Sequence, residues 1–244
     1  MSKIIVTAAG PNMREVLDRY TLPSFIQFAD RYKYEVQVNY LETDGLSRKG
    51  SEVRKARWQK INLIKDALLK HTIVLWLDAD TMICRDDEDV PLEPTDYQGL
   101  VLHHVPSEGR VNPNTGVWIL RKCQKTFDFL ASVERIGLPE KDRWADQASV
   151  LRALGWVLGD ERYRGARMPD HPTEYIKGTT WLPSGWNQPY TENRRDPEAY
   201  IGRPLVEDPH IIHYMAMTIP ERLECMGKTY DTCFGISRSG HDQQ

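Results

Sequence analysis

Asp78 and Asp80 stand two residues apart, directly after the apolar run HTIVLWL at 71–77. Residues i and i+2 of a strand share one face, so a strand ending here turns both carboxylates toward one cation. Hard carboxylate oxygens suit Mg²⁺ or Mn²⁺, and such an ion neutralises the oxygens of a diphosphate. A D-x-D triplet is common by itself. Its place at the end of a buried strand adds weight, because carboxylates there are costly unless something cationic meets them. The alternative without function is a helix cap or a salt-bridged loop. A second chemical feature is basic: Arg48, Lys49, Arg54, Lys55, Arg57 and Lys60 fall within thirteen residues. That density attracts a phosphate-bearing ligand, and it is equally compatible with a solvated helix face.

The elements that must position these groups follow from periodicity. Residues 3–8 (KIIVTA) read as a short buried strand, Gly10-Pro11 as a turn, and 13–32 as a helical stretch that Pro23 should interrupt. Residues 34–40 (YEVQVNY) alternate as a strand does, and 51–69 place Trp58, Ile61, Ile64 and Leu68 on one helical face. The run at 71–77 then ends in the acidic triplet, as a central parallel strand does when it delivers ligands at its carboxyl end. Further strands are expected at 100–105 and 116–120, and helices at 124–136 and 145–154. This β-α-β alternation predicts a three-layer α/β sheet. Beyond residue 160 the chain is rich in Arg, Pro, Gly and aromatics, with strand signals only at 179–182 and 210–215. No linker-like run divides it from the rest, so a single domain over 1–244 is expected.

Bulk properties exclude several classes. In 244 residues, 40% are hydrophobic and 27% charged, which is ordinary globular composition. A formal charge of −3 gives no global attraction to nucleic acid or anionic membrane. Cys84, Cys123, Cys225 and Cys233 have no C-x-x-C spacing, which argues against a zinc knuckle or a redox motif and for reduced thiols. The N-terminus has too short an apolar stretch for a signal peptide, and no run of about 18 apolar residues occurs. A cytoplasmic chain without its own membrane anchor is the expectation.

The ordered set KARWQKINLIKDALLKHTIVLWLDADTMI, NPNTGVWILR, WADQASVLRAL, LPSGWNQPY and HIIHYMAM resembles the GT-A glycosyltransferases. It is most similar to the retaining galactosyl- and xylosyltransferase family of mannan and xyloglucan pathways, over about residues 3–220. The resemblance implies a Rossmann-like α/β/α domain with a mostly parallel central sheet. It implies that 1–120 form a nucleotide-sugar and metal-binding half, 121–220 an acceptor-side half and 221–244 a C-terminal tail. On this resemblance Asp78 and Asp80 are the metal-binding D-x-D and His213 completes the site, with His210 as a rival. A histidine ligand favours Mn²⁺ over Mg²⁺. Ala79 between the aspartates, and Thr7 and Ala8 at the end of the first strand, line the donor pocket. Asn114, Thr115 and Gly116 face the donor sugar, although such residues are also ordinary turn formers. Asp146 and Gln147 contact sugar hydroxyls or the anomeric centre, although an Asp at a helix start is also favoured by the helix dipole. Lys60, in a W-x-K arrangement with Trp58, faces the donor phosphates or sugar, and Asn187 is a late acceptor or sugar contact.

The activity implied is metal-dependent transfer of a sugar from a nucleotide-diphosphate donor, UDP-sugar favoured, to an acceptor hydroxyl with retention. In an inverting enzyme Asp146 is the first candidate for general base. The acceptor is a saccharide or another hydroxyl-bearing molecule, and a hydroxylated DNA base stays open because of the basic run. Two other readings compete. An aspartyl-phosphate phosphohydrolase would use Asp78 as nucleophile, but its motif lies near the N-terminus with Thr or Val where Met82 stands here. A nucleotide-sugar-binding module would keep the pocket without turnover. Neither donor nucleotide nor oligomeric state is readable from the residues.

Overall fold

In the computed structural model the described residues are 1–43, 51–105, 110–138, 146–158, 166–167, 172–192 and 205–235, with the side chains of 51–57, 104–105, 110, 158 and 166–167 excepted. Most of the basic run at 48–57 and the proposed helix start at 145 therefore lie outside what is described.

The chain opens with β1 (Lys3–Ala9), a 3₁₀ turn at Pro11–Met13, α1 (Arg14–Val16), a π turn at Leu17–Thr21, α2 (Leu22–Tyr32) and β2 (Tyr34–Tyr40). Pro23 does not break this stretch as expected. It sits in the first turn of α2, where the missing N–H is tolerated, directly after the π turn at Leu17–Thr21. Then come α3 (Ser51–Lys70), β3 (Ile73–Leu77) and β4 (Thr81–Ile83). The hairpin strands β5 (Gln98–Val105) and β6 (Arg110–Arg121) lead to α4 (Gln124–Ile136) and α5 (Asp146–Leu154). The remainder supplies β7 (Val157–Leu158), β8 (Ala166–Arg167), β9 (Thr179–Leu182), β10 (Gln188–Pro189), β11 (Ile211–His213) and α6 (Ile219–Phe234).

The main sheet has the order β2-β1-β3-β6-β5-β9, and β1–β2, β1–β3 and β5–β9 pair in parallel. Alternation along the strands divides the core in two. Ile4, Val6, Val74, Trp76, Trp118 and Leu120 point to one face and pack on Ile61, Ile64 and Leu68 of α3, with α4 and α5 beside them. Ile5, Leu75, Leu77, Val117 and Ile119 point to the other and pack on Phe25, Phe28 and Ala29 of α2. Trp118 is fully buried and its indole nitrogen donates to Gln98 Oε1 at 2.9 Å, so truncation to Ala should cost about 3–5 kcal/mol.

Two irregularities serve the site. A three-stranded sheet, β10-β11-β4, lies past the carboxyl end of β3 and carries His213 opposite Thr81. In the hairpin, Leu100 pairs with Trp118 but Val101 pairs with Asn114, so Thr115, Gly116 and Val117 have no partner on β5. Such a bulge re-aims the strand, and it frees Thr115 and Gly116 beside the end of β3. Among the described residues, no helix is long and apolar enough to cross a membrane.

Candidate active site

β3 delivers Asp78, and the chain turns sharply there. Asp78 takes a backbone hydrogen bond from Thr81 and another from the Thr81 hydroxyl, while its own N–H donates to the Gly116 carbonyl. This turn carries Asp80 to the start of β4, where β11 runs antiparallel and brings in His213. The outcome is a cluster of Asp78, Asp80 and His213 whose ligand atoms lie within 4.8 Å of one another. His213 Nε2 is 3.3 Å from Asp80 Oδ1 and 3.9 Å from Asp78 Oδ2. His210 takes another course: it stacks on Trp186 at 4.2 Å between ring centroids and contacts Glu88 and Arg85.

The surroundings of His213 fix its chemistry. Its Nδ1 donates to Asn187 Oδ1 at 3.0 Å, Asn187 Nδ2 donates to Asn114 Oδ1 at 2.9 Å, and that oxygen also accepts the Gly116 N–H at 2.8 Å. With Nδ1 committed as a donor, Nε2 is the nitrogen left for a proton or a metal, and it faces two carboxylates. Gly116 makes the approach possible. A Cβ there would collide with the His213 ring, with Nδ1 only 2.7 Å away. Two carboxylates and an oriented imidazole form a donor set suited to Mn²⁺, which accepts both ligand types.

Each aspartate has its own cation. Lys60 reaches down from α3 and places Nζ 2.9 Å from Asp78 Oδ1 and 3.1 Å from Asp146 Oδ2. It also donates to the Thr115 carbonyl and hydroxyl, each at 3.3 Å. Burial works against the charge on Lys60, but Asp146 and Asp78 more than offset it and hold its pKa above the ordinary lysine value. Asp78 Oδ1 accepts in addition from the Trp76 indole at 2.7 Å. On the other side Arg222, buried in the first turns of α6, donates through Nη2 to Asp80 Oδ2 at 2.8 Å and through Nε to the Tyr214 carbonyl at 3.0 Å. Burial penalises the Asp80 carboxylate, yet His213 and Arg222 outweigh that penalty and hold the carboxyl well below its usual range.

The other sequence candidates fall in two groups. Asp146 and Gln147 begin α5 and meet the bulge, where Thr115 Oγ1 donates to Asp146 Oδ2 and the Thr115 N–H to Gln147 Oε1, both at 3.5 Å. Lys60, Asn114, Thr115, Gly116 and Asn187 thus join the cluster directly through hydrogen bonds or close packing. Thr7, Ala8 and Ala79 line the neighbouring strand ends. The Thr7 hydroxyl is fully buried with no hydrogen-bond partner, its carbonyl accepts from Asn39 Nδ2, and the Ala79 carbonyl accepts from the Thr21 hydroxyl. Sequence reading missed Arg222. The one available signal was the T-x-x-E pattern Thr218–Glu221, which forms a capping box and starts α6.

A mixed α/β sheet whose acidic pair sits where β3 ends, completed by a late histidine on a small second sheet, is the GT-A glycosyltransferase fold. A solved glycosyltransferase involved in the glycosylation of the major capsid of PBCV-1 superposes with a TM-score of 0.57 at 16% identity, over 92% of this chain and 99% of the other. No family model matches the sequence. In sequence the chain is similar to "Probable glycosyltransferase 6" of Oryza sativa subsp. indica, 34% identical over 99 residues, which is 36% of this chain and 20% of the relative. It is also similar to xyloglucan 6-xylosyltransferase 4 of Arabidopsis thaliana, 30% identical over 148 residues, 56% of this chain and 28% of the relative. The resemblance read from the motifs is borne out, and the matched stretches span less than a third of these relatives' length.

Proposed function

We propose that this chain is a Mn²⁺-dependent glycosyltransferase that moves a sugar from a UDP-sugar to an acceptor hydroxyl with retention. The observation that carries the reading is the convergence of Asp78, Asp80 and the His213 Nε2 on one point. Asp78, Asp80 and His213 would hold the ion, which when bound supplies Lewis-acid stabilisation of the diphosphate leaving group.

The chain's own residues do the rest. Lys60, desolvated and shared between Asp78 and Asp146, adds positive charge where negative charge grows on the leaving phosphate. Asn114, Thr115 and Gly116 present amide and hydroxyl groups from the bulge to the sugar, and Asn187 locks Asn114 and His213 in register. The acceptor oxygen forms a bond to the anomeric carbon as the bond from that carbon to the phosphate oxygen breaks. The acceptor proton passes to the departing phosphate oxygen. Asp146 is paired with Lys60, and its carboxylate and the Gln147 amide suit the positive charge that develops at the anomeric carbon. Thr7, Ala8 and Ala79 line the nucleotide side. On this reading the chain is a single domain, with the donor half in 1–120, the acceptor side in 121–220 and a C-terminal tail in 221–244. The acceptor is a saccharide, and the site acts in the cytoplasm.

A thermal-shift screen of UDP-, GDP-, CDP- and dTDP-sugars, each with and without Mn²⁺, tests this directly. Ligands that bind only the native state raise apparent stability. The expected result is a shift with UDP-sugars that requires Mn²⁺; a shift with another nucleotide alone, or no dependence on Mn²⁺, overturns the donor or the metal assignment.

A further inference from the structure

β5 and β6 continue past the main sheet. Pairing of β5 with β9 ends at Val101–Leu182 and pairing of β3 with β6 ends at Leu77–Val117, whereas β5 and β6 stay paired out to Val105–Arg110. Because β6 runs antiparallel to β3, this two-stranded arm extends beyond the carboxyl end of β3, on the side where Asp78 lies. Cross-strand partners share a face, and so do residues i and i+2. Val101, His103, Asn112 and Asn114 therefore line one face of the arm.

That face is polar where it leaves the core. Val101 still packs in the apolar cluster, but beyond it the face carries an imidazole and two amides, while Leu102 on the opposite face packs against the other apolar cluster. Asn114 is joined to Asn187, and His103 Nε2 donates to the Asn187 carbonyl at 2.8 Å, so the arm is pinned to the same residue that orients His213. Asn112 differs from its neighbours. It is only 6% exposed, yet among the described residues its amide makes no hydrogen bond. A primary amide has two donor hydrogens and a carbonyl acceptor, and those of Asn112 are not among the fully buried unpaired groups, so they stay open to solvent and to a ligand. Asn112 lies two residues from Asn114, about 6.7 Å along the strand and outward from the metal ligands. That spacing corresponds to one sugar ring.

We infer that Asn112, on an arm held in place by His103, is an acceptor subsite that binds the hydroxyls of a saccharide ring adjacent to the donor sugar. The inference rests on the glycosyltransferase reading above. Asn112 donates and accepts in one plane and so matches a pair of neighbouring ring hydroxyls. His103 is a positioning residue that acts through Asn187.

Saturation-transfer-difference NMR with cellobiose, lactose, maltose and mannobiose, each in the presence of UDP and Mn²⁺, tests it. The proteins are wild type, Asn112→Leu and Asn112→Asp, and Mn²⁺-dependent thermal shift with UDP is recorded on each. The expected result is disaccharide signal in the wild type that falls at least fivefold in N112L and less in N112D, with the UDP shift unchanged in both. N112D keeps an acceptor and the side-chain shape, so it guards against a folding defect in N112L. Equal disaccharide signal in wild type and N112L overturns the subsite, as does a wild type that shifts with UDP and Mn²⁺ but binds none of the four sugars. A wild type with no UDP shift fails the donor reading instead.

Discussion

Asp78 and Asp80 look alike in sequence and differ in what holds them. Asp78 shares an ammonium with Asp146, so the charge of Lys60 is split between two carboxylates. Asp80 is held by the guanidinium fork of Arg222, which stands on a capped helix and ties its other arm to the Tyr214 carbonyl. A shared ammonium can yield when a cation or a phosphate arrives, because Lys60 keeps Asp146 and Thr115 as partners. The guanidinium cannot swing without losing a buried hydrogen bond. Under the proposed function the Asp78 side would respond to ligand, and the Asp80 side would stay fixed. Arg222 occupies Oδ2 of Asp80 and leaves Oδ1 facing His213.

Four variants and one change of conditions can break or sharpen this contrast, beginning with the largest effect. Asp80→Ala removes a ligand and little core volume, so calorimetric titration with UDP and Mn²⁺ should show no metal-dependent binding while circular dichroism stays native. Normal binding by this variant would mean that the cluster is not the metal site. Arg222→Met breaks a buried ion pair and leaves Asp80 with His213 as its remaining charge partner, a loss of about 3–5 kcal/mol in urea unfolding. Mn²⁺ with UDP should restore part of that loss, since a cation then meets the carboxylate. Lys60→Met should be milder, because Asp78 retains the Trp76 indole; equal losses from the two variants would erase the distinction between the two sides.

Gly116→Ala pushes the His213 ring away, so Mn²⁺ affinity should fall about 10–100-fold, as expected when the support of a ligand is disturbed. The affinity for metal-free UDP should not move. The smallest effect is on the alkaline side of the stability profile. The folded-state pKa of Lys60 is raised, so the stability it contributes is fully present below the unfolded value of about 10.4 and is lost as pH rises toward the folded value. The stability gap between wild type and Lys60→Met, followed by urea unfolding from pH 8 to 11, should be constant at first and narrow only at the top of that range.

The same contrast marks what the sequence can disclose. Asp78 and Asp80 were legible because an apolar strand ends on them, and Lys60 because it flanks the buried stripe Ile61–Ile64–Leu68 of a helix leading into that strand. Arg222 was not. It meets Asp80 across 142 positions, and an arginine bears no mark of burial when its helix is read alone. The length of β6 was hidden for a related reason. Asn112, Pro113 and Asn114 favour turns, so only the apolar stretch 116–120 read as strand, yet pairing with β5 carries the strand back to Arg110. Pro113 is tolerated because β6, among the described residues, is paired there on one side only. His210 and His213 had equal standing by type and spacing. Their difference comes from β-register, which sets His213 opposite Thr81 and leaves His210 outside the strand against Trp186.

The central claim is that Asp78, Asp80 and His213 hold one ion. Anomalous diffraction from crystals grown with MnCl₂ and UDP tests it most directly. The account predicts a single strong manganese peak in contact with Asp78, Asp80 and His213 Nε2, with Arg222 still bonded to Asp80 Oδ2. A manganese peak at another set of side chains, or UDP bound with no manganese beside these three, would contradict it.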